Sequence, residues 1–122
     1  MNKSEFFEAM KAKGYRVFVA NPSSGFNRFY GFFTKDGSNI VSFQEDFGSM
    51  SVSGNYTTEK PKQTGTGWQI ANNVSLESIV DNAETFLNAS APRWAHHGFK
   101  WRYTTLDEHL AMYGRSSKYQ EV

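Results

Sequence analysis

Residues 26–58 limit what this chain can fold into more than any other stretch: three turn- and strand-forming runs follow one another there, and five of the first eight residues are aromatic. The runs read FNRFYGFF, TKDGSN and IVSFQEDFGSMSVSGNYT. Asp36-Gly37 between two β-prone segments is a strong hairpin signal, because a two-residue turn needs a backbone that these residues tolerate. If those two residues are the whole turn, Thr34 pairs with Asn39, Phe32 with Val41 and Tyr30 with Phe43. Phe32, Val41, Tyr30 and Phe43 then share one face, the expected core. The opposite face carries Phe29, Phe33 and Ile40 beside Gly31, Ser42 and Gln44. Both faces are apolar enough to need a cover or a ligand, and that is the sequence's main pointer to function.

Local signals predict the other elements. Residues 3–13 read as a short helix, with Asn2 and Glu5 at capping-box spacing, Phe6, Phe7 and Met10 on one side, and Gly14 as the stop. Residues 15–20 (YRVFVA) form a first strand, and residues 49–58 a fourth in which Met50, Val52 and Tyr56 alternate with polar residues. Gly54 marks a bulge or a close approach. Residues 59–67 have linker chemistry, and Trp68 and Ile70 suggest a short strand before Asn72-Asn73. From Ser75 the period becomes helical: Leu76, Ile79, Val80, Ala83, Phe86 and Leu87 fall on one side and Glu77, Asp81 and Glu84 face outward, predicting one amphipathic helix over 75–89. Residues 99–103 read as a strand or extended arm. Thr105 and Glu108 open a short helix that carries Leu106, Leu110 and Tyr113 and ends at Gly114.

The expected fold is therefore α+β: an antiparallel four- to five-stranded sheet with a short N-terminal helix, a long amphipathic helix after the sheet, and a short C-terminal helix. Residues 1–114 make a single domain and 115–122 a C-terminal tail.

Composition narrows the function classes. The absence of cysteine removes disulfides, thiolate metal sites and cysteine nucleophiles, and fits a reducing compartment. The first residues lack a long apolar run, and no window approaches the roughly 20 apolar residues of a membrane span, so a soluble, cytoplasmic protein with no membrane partner is expected. Thirteen basic against twelve acidic residues give a formal charge of +1, far from the balance of a duplex-DNA binder. Eleven phenylalanines, six tyrosines and three tryptophans exceed what one small core readily uses, which predicts aromatics on the surface.

The candidate chemistry lies in an acid-free window. Arg93, Trp94, Lys100, Trp101, Arg102 and Tyr103 interleave bases with rings, the pattern that binds single-stranded nucleic acid by stacking bases and neutralising phosphates. A strand over 99–103 puts Phe99, Trp101 and Tyr103 on one face and Lys100 and Arg102 on the other, which also suits core rings with solvated bases. Lys60 and Lys62, in a loop flanked by glycines, supply further charge, and Phe29 and Phe33 support it from the sheet. His96, His97 and His109 lack the spacing of a zinc site, and no metal or cofactor is expected. Gly65-Thr66-Gly67 lacks the Lys-Ser/Thr of a phosphate loop, and no nucleophile–base pair or paired carboxylate stands out. The reading is a non-catalytic binding protein whose partner is single-stranded nucleic acid. The alternative is a small protein-binding regulator or inhibitor of a host enzyme, of the kind phages and plasmids encode. A homodimer through the same aromatics is compatible with either.

Overall fold

The computed structural model describes residues 1–20, 29–37, 40–46, 48–55, 67–90, 94–97, 100–103 and 119–122. Helix α1 (Lys3–Ala12) starts where the sequence places it. The Asn2 side chain accepts the Glu5 amide proton at 2.8 Å, and the Glu5 carboxylate accepts the Asn2 amide proton at 2.9 Å. Gly14, at φ +91°, turns the chain into strand β1 (Arg16–Ala20).

Strands β2 (Tyr30–Thr34), β3 (Ile40–Asp46), β4 (Ser49–Asn55) and β5 (Gly67–Val74) follow, and β8 (Tyr119–Glu121) closes the other side. All neighbours are antiparallel in the order β5-β4-β3-β2-β1-β8. The α+β class holds, with six strands in this sheet among the described residues where four or five were expected. Residues 119–121, read as tail, are a strand: Gln120 pairs with Val19, and the Val122 amide donates to the Val17 carbonyl at 3.0 Å. The expected helix after Thr105 lies outside the described residues.

The hairpin register differs by one residue from the two-residue-turn prediction. Thr34 pairs with Ile40, Phe33 with Val41, Phe32 with Ser42 and Gly31 with Phe43. The loop is five residues long. Gly37 does sit at positive φ, at +89°, and its amide donates to the Thr34 hydroxyl at 3.0 Å. Since a slip of one exchanges the faces of a strand, Val41 and Phe43 join Phe33, while Ile40, Ser42 and Gln44 join Phe32 and Tyr30.

The first of these faces is the main core. Phe6 and Met10 of α1 press on it without exposed surface, and the Phe6 ring meets Phe43 edge-on at 5.6 Å. Phe29, Val17, Phe33, Val41 and Val52 belong to the same cluster. The predicted apolar stripe completes it: Ile79, Val80, Ala83, Phe86 and Leu87 are all buried. It is carried by two helices, α2 (Leu76–Asp81) and α3 (Ala83–Ala89), not by one. Asn82 causes the break. Its side-chain amide donates to the Ser78 carbonyl at 2.8 Å, alongside its own backbone amide at 3.0 Å, and its φ of −113° leaves the helical range.

Both ends of the sheet are guarded. Strand β5 carries register shifts against β4, one of them at Asn72-Asn73 with Asn73 at φ +59°, and β8 is only three residues long. Bulged and short edges resist pairing with other chains. Gly54 is a close approach, as expected: a side chain there would meet Ser90 at 2.7 Å and Ile70 at 2.8 Å. Ser90 is buried and donates its hydroxyl to the Ile40 carbonyl at 3.0 Å, tying the end of α3 to the start of β3.

Candidate functional site

Strands β6 (Trp94–His97) and β7 (Lys100–Tyr103) form a two-stranded antiparallel ribbon separate from the main sheet. Its register pairs Trp94 with Tyr103, Ala95 with Arg102, His96 with Trp101 and His97 with Lys100. Directly paired residues share a face, so backbone alternation groups Trp94, His96, Trp101 and Tyr103 on one side and Ala95, His97, Lys100 and Arg102 on the other. Four of the nine candidate residues, Trp94, Lys100, Trp101 and Arg102, are thus brought into one small element. As strand neighbours, His96 and His97 belong to opposite faces. Arg93, Lys60, Lys62 and His109 lie outside the described residues.

Phe29 and Phe33 do not belong to this set. Phe33 is wholly buried with its ring 5.8 Å from that of Tyr15, and Phe29 sits between Phe7 and Phe43 at 6.0 and 5.4 Å. A ring sealed in the core has no face to offer a base. The correction follows from the register, which makes the Phe33 side of the hairpin the core side.

The opposite face of the main sheet is graded in polarity. Toward β8 it is aromatic: Phe18 stacks on Phe32 at 4.8 Å and 14°, and Tyr119 stands edge-on to Phe32 at 5.2 Å and to Tyr30 at 6.3 Å. Toward β4 it is hydroxylic, because Ser42 pairs with Ser53 and Gln44 with Ser51. Where the two halves meet lies a cavity of about 210 Å³ lined by Tyr30, Ser42, Gln44, Ser51, Ser53 and Tyr119. Sequence reasoning missed this site because it assigned Tyr30 to the core face and Tyr119 to a tail. The usable signal was the serine alternation at Ser51 and Ser53, repeated across the hairpin by Ser42 and Gln44.

One ion pair fixes the aromatic end. The Arg16 guanidinium donates two hydrogen bonds of 2.8 Å to Glu121, clipping β8 to β1, and its carbon lies 5.2 Å from the Phe18 ring centre. These hydrogen bonds hold the Glu121 carboxyl below its ordinary pKa, with desolvation opposing them and the guanidinium charge adding to them. A depressed carboxyl contributes stability that is present above its unfolded pKa and is lost as pH falls through the folded value. We therefore expect Glu121 to titrate below the ordinary glutamate range and to return to it in Arg16→Ala, as followed by side-chain carboxyl shifts. An ordinary midpoint in the unsubstituted protein would contradict the clip.

Among the described residues no helix is long and apolar enough to cross a membrane. Comparisons with protein families, with curated proteins and with solved structures found no match for this chain.

Proposed function

We propose that the protein is a non-catalytic binder of single-stranded nucleic acid that works through the ribbon of β6 and β7. The observation that carries this reading is the ribbon register, which groups Trp94, Trp101 and Tyr103 on one side. Rings on one face of a ribbon make a stacking platform, and each stacked base contributes roughly 1–3 kcal/mol. Lys100 and Arg102 belong to the other side, yet a ribbon two strands wide, about 4.8 Å apart, is all edge. Lysine and arginine stems are long enough to carry their charges past such an edge to phosphates at the rim of the platform. Arg93, which precedes β6 in the sequence, and Lys60 and Lys62 complete the proposed basic set.

Three neutralised phosphates imply a salt slope of roughly −2, at about −0.7 per contact on a single strand. The test is oligonucleotide affinity across a salt series. Trp101→Ala should weaken binding by about 1–3 kcal/mol and leave the slope intact. Lys100→Ala should weaken it less and flatten the slope by about one contact. Affinities that neither substitution changes would remove the ribbon from the site.

A formal charge of only +1 favours a second reading, in which the same rings are hot spots for a protein partner, such as a host enzyme regulated by this chain. Salt-insensitive capture of that partner, lost in Trp101→Ala, would select it.

A further inference from the structure

We infer that the sheet face turned away from α1, α2 and α3 holds a binding site for one uncharged heterocyclic ring, a nucleobase or its nucleoside, in the cavity between Tyr30, Gln44, Ser42, Ser53 and Tyr119. This goes beyond the ribbon and does not depend on it.

Size is the first argument. At about 210 Å³ the cavity falls below the roughly 300 Å³ at which sites for drug-sized molecules begin. It suits a single ring system, with whatever the ring is attached to left in the solvent. Polarity is the second. One side is the Tyr30–Tyr119 pair, held edge-to-face at 85°, with Tyr119 further braced by Phe32. The other side is the row of Ser42, Ser53, Ser51 and Gln44 set by the β3–β4 register. An aromatic wall facing a row of hydroxyls matches a ligand with an apolar face and a hydrogen-bonding edge. Gln44 is exposed and lines the cavity, and its carboxamide holds a donor and an acceptor in one plane, which a base edge can engage in exchange for the contact that Gln44 makes within the protein. Charge is the third. Among the described lining residues the ionisable groups are the two tyrosine phenols, which suits a neutral ring.

The test is an amide-resolved NMR titration of the intact protein with adenosine and with cytidine, using glucose as a neutral polyhydroxyl control. A nucleoside should shift the amides of Gly31, Ser42, Gln44, Ser51 and Ser53, and glucose should not. Gln44→Ala, at an exposed position, should weaken binding on the order of tenfold, the discrimination typical of a bidentate edge contact. Ser53→Ala, which removes only the hydroxyl, should weaken it as well. Trp101→Ala should leave nucleoside binding unchanged, so failure of this site and failure of the ribbon are read separately. No localised shifts at millimolar nucleoside, equal shifts with glucose, or an affinity indifferent to Gln44→Ala would each overturn the inference.

Discussion

Gly31→Val is expected to unfold the domain or leave it barely folded. Valine is ordinarily preferred over glycine inside a strand, by up to about 1 kcal/mol, so propensity alone predicts a gain. Sterics reverse the sign. A side chain at Gly31 would run into the Phe18 carbonyl oxygen, a backbone atom that cannot move aside, and would come within 3.0 Å of the Phe43 ring. Relief requires β1 and β2 to part between the Val19–Gly31 and Phe18–Phe32 pairs, in the middle of the sheet. Overpacking costs typically about 1–3 kcal/mol, and forced separation of a central ladder belongs at or beyond the upper end. Against a total stability of about 5–15 kcal/mol this is severe. Urea unfolding checks it: the midpoint should fall steeply, and Gly31→Ala should already lower it. An unchanged or raised midpoint would mean that the strands are not this close.

Phe33→Ala should cost about 3–5 kcal/mol, the range for emptying a buried phenylalanine. Phe33 has no exposed surface, faces Tyr15 edge-on, and shares its cluster with Val17 and Val41, leaving little room for collapse around the void. The same substitution distinguishes the two hairpin registers. Were Asp36-Gly37 a two-residue turn, Phe33 would lie opposite Ile40 on the face away from Val41 and Phe43. In the observed register, thermal unfolding of Phe33→Ala, of Val41→Ala and of the double variant should show coupling between the two sites, since paired neighbours are not additive. Additive losses would contradict the observed register.

What the sequence makes legible here is what is local. The Asn2–Glu5 capping box, the Gly14 stop and the stripe from Leu76 to Leu87 depend on contacts within a few residues, and each appears where the pattern puts it. The stripe says nothing of the break at Asn82, because an apolar face survives a kink that keeps Ile79, Val80, Ala83 and Phe86 inward. The hairpin register was illegible for a different reason. Phe32 and Phe33 are adjacent aromatics, so a slip of one residue leaves a phenylalanine on either face and hydrophobic pattern cannot choose. Strand β8 has no pattern of its own: Tyr-Gln-Glu becomes a strand because β1 has an open edge and Arg16 awaits Glu121. The cavity inherits both difficulties, since it exists only once the register and β8 are in place. The ribbon was half visible, as an extended segment in 99–103, while its partner Trp94–His97 is a strand through pairing.

The most direct test of the ribbon as a single-strand platform is tryptophan emission during titration with a single-stranded oligonucleotide at low salt. A base lying on an indole face alters its emission, so Trp94 and Trp101 should be quenched while Trp68 contributes a constant background. The quench should be saturable, should reverse as salt is raised, and should be much weaker with a duplex whose bases are already stacked. Unchanged emission with every DNA and RNA strand tried, together with capture of a protein partner through residues 94–103, would contradict the account.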